Sequence, residues 1–225
     1  MGSDKKIILG VVGLIAVTIA ILLTLPDNST STPDTLPWRI THPTPESTRI
    51  FGITLGETAL AEAEKTFKEE AEISLFKPTD RDMGVEAFIE EVNFNGLKAK
   101  LVMTVAVPAE ELTGMFNRGL RMNATGSGKR ITLTPDDLDK VRKAPVASLT
   151  YLPNVRLEES VIVKRFGEPA ERIRETKVNL THWLYPQHGL DIILNPKEKP
   201  VLQYSTLQDF GALRAPLLAN GEIVK

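Results

Sequence analysis

The chain contains no cysteine. That absence excludes disulfides, thiolate metal sites, cysteine nucleophiles and a lipid-modified N-terminal cysteine together. In an oxidising compartment the fold has to be held by its core alone. Histidine is scarce too: His42, His182 and His188 are the three in the chain. They show neither H-x-x-x-H nor H-E-x-x-H spacing, so nothing marks a zinc site, which needs three or four converging ligands. Ser148 and Ser160 lie in no G-x-S-x-G elbow. The GSGK at 126–129 is no phosphate loop, because the spacing G-x-x-x-x-G-K-[ST] is missing and Lys129 is followed by Arg130. There is no surplus of basic charge: the formal net charge is -2. A general nucleic-acid binder would carry a basic stripe, so that class is set aside. No motif implies a cofactor. A hydrolase would need a triad assembled from distant positions, since triads are defined by geometry, and His182, His188 and nearby acids would be the first suspects.

What the chain does have is an uncharged apolar run from Ile7 to Leu25. At about 19 residues it is close to the length that crosses a bilayer as a helix. Lys5 and Lys6 precede it, and no Lys or Arg follows until Arg39. The basic flank should stay in the cytoplasm and the C-terminal bulk should be translocated. A cleaved signal peptide would have a shorter core and a small-residue cleavage site, which LLTLPDNS does not offer. A buried soluble helix would show a polar stripe, and this run has none. The expectation is an uncleaved anchor, with residues 1–6 cytoplasmic, 7–25 spanning and the remainder outside. Gly13, Ala16 and Ala20 put small residues on one helical face, where a second helix could approach closely in lipid, although such residues are common in membrane helices anyway.

Residues 26–47 read as a linker. Five prolines from Pro26 to Pro45 stand among Ser, Thr and Asp, and such a composition stays extended. Apolar residues are few here, and Trp38 is the one aromatic ring among Phe, Trp and Tyr, to be placed at the membrane interface or against the domain. Folded structure should begin near Thr48. TRIFGI reads as a short strand. Thr54 and Glu57 match a capping box, with Leu60, Ala63 and Phe67 following at helical spacing. AEISLFK is a second strand. VEAFIEEVNF and LKAKLVMTVAV are strands joined by Asn95-Gly96, the pair favoured in type I′ hairpin turns. That register sets Phe94 against Leu97, Val92 against Ala99 and Glu91 against Lys100. A helix from Pro108 should turn Leu112, Met115 and Phe116 inward. Residues 117–130 are polar and glycine-rich and read as an exposed loop. It carries Arg118, Arg121, Lys129 and Arg130, either as a plain flexible loop or as a contact for an acidic partner or anionic headgroup.

Thr134-Pro135-Asp136-Asp137 has the cap, first-turn proline and acids of a helix start. ASLTYL is a strand. NVRLEESVIVKRF is a helix with Leu157, Val161 and Phe166 on its apolar face, stopped by Gly167 with Pro169 beyond. ERIRET, NLTHWLY and LDIILN are strands, QYST extends or replaces one of them, and DFGALRAPLL closes the chain as a helix with frayed residues after it. Trp183 and Tyr185 share one strand face, and His182 and Leu184 take the other. The aromatic pair either packs beneath the helices or forms an exposed anchor for a partner.

Residues 48–107 and 147–205 follow one order, strand, helix, then an antiparallel meander. This is an α+β layout, divided at 48–130 and 131–225, whose halves form either one sheet or two domains. RLEESVIVKRFGEPAERI followed by THWLYPQHGLDIIL, best over 155–195, resembles the SmpA/OmlA-type small outer-membrane assembly lipoproteins, whose fold is that of β-lactamase-inhibitor-protein-like domains. The shared residues are Phe166, Gly167, Pro169, Trp183, Tyr185 and the run Leu190 to Leu194. GITLGETALAEAEKTF carries a more distant version of the same helix. Two departures stand out: those proteins are lipoproteins, whereas this chain has an apolar anchor and no cysteine, and it is longer. The resemblance implies a non-catalytic, protein-binding module in a Gram-negative envelope. The expectation is an inner-membrane, single-pass protein with a periplasmic domain, acting as an accessory or assembly subunit of an envelope complex. Its contacts would be the bilayer through residues 7–25 and membrane or envelope proteins, with no nucleic acid. The alternative is a tethered periplasmic hydrolase or cell-wall enzyme with a dispersed site.

Overall fold

The computed structural model describes residues 34–79 and 82–224. The run Ile7–Leu25, with Gly13, Ala16 and Ala20, lies outside them. Among the described residues no helix is long and apolar enough to cross a membrane. The first elements of the described part are a hairpin, β1 (Arg49–Ile50) and β2 (Ile53–Thr54), and helix α1 (Leu60–Phe67). Strands β3 (Glu72–Pro78), β4 (Gly84–Phe94) and β5 (Leu97–Val105) follow. Next come α2 (Ala109–Arg118), β6 (Arg121–Thr125), β7 (Gly128–Thr132), α3 (Pro135–Lys143) and β8 (Val146–Pro153). The second half holds α4 (Glu159–Phe166), β9 (Glu171–Glu175), β10 (Leu180–Tyr185), β11 (Leu190–Leu194) and β12 (Val201–Tyr204). Helix α5 (Phe210–Asn220) and β13 (Glu222–Val224) close it.

The fold is α+β. Apart from the β1–β2 hairpin, the strands form one 11-stranded sheet in the order β13-β9-β10-β11-β12-β8-β5-β4-β3-β7-β6. All its pairings are antiparallel. With α2, β6, β7 and α3 removed as an insertion, the halves have the same path: α1-β3-β4-β5-β8 and α4-β9-β10-β11-β12. They meet where β12 pairs β8, with Leu202 opposite Tyr151 and Tyr204 opposite Leu149. One sheet therefore runs through both, and a division at 130/131 falls inside β7.

Alternation gives the sheet two unlike faces. One carries Leu75, Val85, Leu101, Met103, Leu149, Tyr151, Tyr185 and Ile192 into a single core. Helices α1, α2, α3 and α4 cover it through Leu60, Met115, Val141, Ile162 and Phe166. At the joint between the halves Phe51 is fully buried, 4.5 Å from Phe94 and 5.2 Å from Tyr151, ring centre to ring centre. Phe51 and Gly52 form a tight turn at φ 52° and 84°, so TRIFGI is a hairpin tip rather than one strand. The left-handed conformation costs a bulky residue about 1–2 kcal/mol. Burying the ring returns about 1.5–3 kcal/mol, and the stacked partners add to that.

Several sequence expectations need correction. Thr54 ends β2 and accepts no cap bond, and α1 starts only at Leu60, capped by Ala59 without a side-chain bond. The 26–47 linker is docked over its described part. Trp38 and Ile40 pack on the core, Thr41 bridges Arg49, and the Tyr204 hydroxyl donates to the Pro37 carbonyl at 2.8 Å. Arg165 stacks on the Trp38 ring at 4.3 Å. The 117–130 loop is the end of α2 followed by the β6–β7 hairpin. The α4 face is Ile162 and Phe166, whereas Val161 is 39% exposed. The last residues pair with β9 as β13.

Candidate functional surfaces

Four features of the domain bear on function. The first is the other face of the sheet. Cross-strand partners share a face, so the row Phe88, Val102, Thr150, Gln203 runs side by side across β4, β5, β8 and β12. A second row, Glu86, Thr104, Ser148, lies beside it. These side chains are half-buried or exposed. Among the described residues α5 is the one helix on this side, and its Phe210, Leu213 and Leu217 pack on Ile173 and Leu184 of β9 and β10. Nothing among the described residues covers the same face of β3, β4, β5 and β8. Two ion pairs edge it, Lys98–Glu91 at 2.8 Å and Lys100–Glu90 at 2.6 Å.

The second feature is the β6–β7 hairpin. It holds Arg121, Lys129 and Arg130, with Arg118 at the end of α2 before it, and the four do not form one free patch. Arg118 makes a forked contact with Asp137, at 2.8 and 2.6 Å. Asp137 is fully buried, and Arg118 holds its carboxyl below the usual range by hydrogen bonding, against the effect of burial. Arg130 reaches Glu72 at 3.3 Å. Among the described residues Arg121 and Lys129 have no carboxylate partner.

The third is a buried cluster beneath α5. His182 of β10 and Asp191 of β11 are diagonal neighbours on one face. Nδ1 of His182 bonds Oδ2 of Asp191 at 2.7 Å, and Nε2 stands 3.4 Å from Glu175. The second contact is too long to count as a sound hydrogen bond, and Nε2 and Asp191 Oδ1 are buried without a hydrogen-bond partner. Burial works to lower the imidazole pKa, but the Asp191 hydrogen bond and charge together with Glu175 outweigh it, so His182 is raised. Neither ring nitrogen bonds a hydroxyl, and the imidazole is 4% exposed. No set of three His, Asp or Glu among the described residues is placed to hold a metal ion. His188 is separate, on the opposite side of the β10–β11 turn, with its ring centre 6.4 Å from those of Tyr185 and of His42. Burial, and then His42, lower its pKa.

The fourth is a cavity of about 840 Å³ beside α4, lined by Leu157, Val163 and Leu194 and rimmed by Glu158, Glu159 and Glu198. Trp183 lies at its floor, 5% exposed, under the Arg172 guanidinium at 4.7 Å. Glu168 holds Arg172 at 2.7 Å. Tyr185 is fully buried, its hydroxyl donating to the Gly167 carbonyl at 3.1 Å, and burial pushes its pKa up to about 12. Trp183 and Tyr185 thus share a face, and it is the packed one, so they form no exposed aromatic anchor.

The sequence reading missed the His182–Asp191 pair and the uncovered face. A signal existed for the pair: Asp191 is the one charged residue in the apolar run Leu190 to Leu194. Comparison with protein-family models, with curated proteins and with solved structures returns no match.

Proposed function

We propose that this chain is a membrane-anchored envelope protein, held by Ile7–Leu25 and displaying its α+β domain in the periplasm as a protein-binding module. In this reading it is an accessory or assembly subunit of a larger complex. The observation that carries the reading is the uncovered face of β3, β4, β5 and β8. It mixes apolar Phe88 and Val102 with polar Thr150, Ser148 and Gln203. Half-apolar, pre-formed surfaces of this type suit partners that dock with little rearrangement. The rigidity of a sheet lowers the ordering cost of binding. Among the described residues no group on that face is arranged as nucleophile and base, and the imidazole–carboxylate pair His182–Asp191 is closed off from solvent.

The test is a photo-crosslinking residue placed at Val102 in the full-length chain, expressed in intact cells. A discrete adduct that is absent when the crosslinker sits at exposed Val178 is the expected outcome. A protein that stays uncrosslinked and is recovered as a lone monomer from mild detergent refutes the proposal.

A further inference from the structure

We infer that the outer edge of β6 is a strand-addition site for an extended segment that alternates apolar and acidic residues on a protein partner. This rests on the protein-binding reading and gives it a second, chemically distinct surface. β6 ends the sheet. A two-residue turn, Gly126-Ser127, closes on the pair Thr125–Gly128. In such hairpins the closing pair is hydrogen-bonded, and bonding alternates along the ladder. Arg121, Asn123 and Thr125 therefore bond inward to β7. The N–H and C=O of Met122 and Ala124 point out of the sheet, with no strand beyond them among the described residues.

Natural edges are usually blunted by proline, inward-pointing charge, bulges or a covering element. From Arg121 to Thr125 this one has no proline, no shift of register and, among the described residues, no cover. Every residue of β6 is exposed. Met122 is 46% exposed, and Leu120, just before the strand with its N–H bonded to the Thr132 carbonyl, is 65% exposed. Met122 pairs with buried Ile131, so its side of the strand is continuous with the helix-covered core. Arg121 projects on the other side and lacks a carboxylate partner among the described residues. An added strand would meet backbone groups at Met122 and Ala124, apolar surface at Leu120 and Met122, and positive charge at Arg121. Main-chain bonds then supply affinity and the alternating side chains supply selection. A partner strand with carboxylates opposite Arg121 and aliphatic residues opposite Met122 satisfies both.

The experiment uses the full-length protein in mild detergent and two fluorescein-labelled probes, acetyl-Glu-Val-Glu-Val-Glu-Val amide and its lysine counterpart. Fluorescence anisotropy reads the affinity. Saturable binding of the glutamate probe, at least tenfold tighter than the lysine probe, is expected. Ala124→Pro removes an outward N–H that β7 does not use, so the thermal midpoint should hold while the glutamate probe weakens at least tenfold. Arg121→Glu should reverse the order of the two probes, which keeps the test decisive should the proline variant unfold. No binding to the native protein, or affinity unchanged in both variants, overturns the inference. A crosslinked partner at Val102 alongside such a failure would leave the protein-binding reading standing and remove this edge from it.

Discussion

The buried pair His182–Asp191 gives the sharpest test of the electrostatics, through Asp191→Asn. Asp191 is fully buried and His182 is 4% exposed. At pH 6 the imidazole is protonated in the fold, held by Asp191 at 2.7 Å and faced by Glu175 at 3.4 Å. Replacing the carboxylate with an amide leaves a buried cation with one distant counter-charge. Breaking a buried pair from one side costs about 3–5 kcal/mol. For a domain of this size that is a fall of roughly 6–20 °C in thermal midpoint.

The pH dependence follows from the raised imidazole. A group whose folded pKa lies above its unfolded value of about 6.5 stabilises fully below that value. Its contribution is lost as pH rises through the folded pKa, with a limiting slope of about 1.4 kcal/mol per pH unit. Above that window the native protein holds a neutral imidazole beside Asp191, whose carboxyl burial pushes above its usual range and one of whose oxygens has no hydrogen-bond partner. The asparagine variant has no such carboxyl to bury. Its deficit should therefore be larger at pH 6 than at pH 9. Urea unfolding of the full-length chain in mild detergent, followed by circular dichroism at both pH values, measures this. A deficit that stays constant from pH 6 to pH 9 would refute the assignment of the charged pair.

Three further outcomes are expected. His188, lowered by burial and then by His42, contributes stability that is present above about pH 6.5 and lost as pH falls through its folded value, so His188→Gln should flatten urea midpoints between pH 6.5 and 5. Ile162→Ala should cost about 2–5 kcal/mol by leaving a hole under α4, while Val161→Ala, on the exposed side, should stay within about 0.5 kcal/mol; urea unfolding separates them. Gly96 sits at φ 90° with open space around it, so Gly96→Ala should cost roughly 1–2 kcal/mol through backbone strain alone, read as a lower thermal midpoint with an unchanged spectrum.

The β4–β5 hairpin was legible because Asn95-Gly96 and the strand alternation agree. Phe94 opposes Leu97 and Val92 opposes Ala99, and Asn95 and Gly96 take φ 54° and 90°. The expected Glu91–Lys100 pairing fails because a bulge sits between Ile89 and Val92. Glu91 reaches Lys98 and Glu90 reaches Lys100 instead. The sequence carried a signal for it: inward residues are odd at Val85, Ala87 and Ile89 and even at Val92 and Phe94, and a parity change within a strand is what a bulge produces. The β6–β7 hairpin was hidden because an edge strand buries little. Of its ten residues only Ile131 is fully enclosed, so no alternation betrays it. The α4 face was misjudged because Leu157 precedes the helix, and the true pair Ile162 and Phe166 stands four apart. The three-residue β13 is too short to show any period.

The residues that carry the family resemblance are the ones least able to name a partner. Phe166 and Tyr185 face each other at 6.0 Å, and Gly167 accepts the Tyr185 hydroxyl. Trp183 lies under Arg172. All of them serve packing between α4 and the sheet. The outer side of the same strands is closed by α5 through Ile173, Leu184 and Phe210. Both faces of β9 and β10 are thus engaged inside the domain, and the pattern they impose on the sequence specifies a fold, which other proteins can use for other ends. Contact surface has to come from where the two halves differ. The first half has no counterpart of α5 among the described residues, so its sheet face is open, and the insertion between β5 and β8 adds, at the far end of the sheet, a strand paired on one side. On the binding reading proposed above, the platform is two halves of the same path, one covered by α5 and the other open among the described residues. It follows that substitutions at Val102, Thr150, Met122 or Arg121 should alter partner choice while leaving the fold intact, whereas substitutions at Trp183 or Tyr185 should alter the fold first.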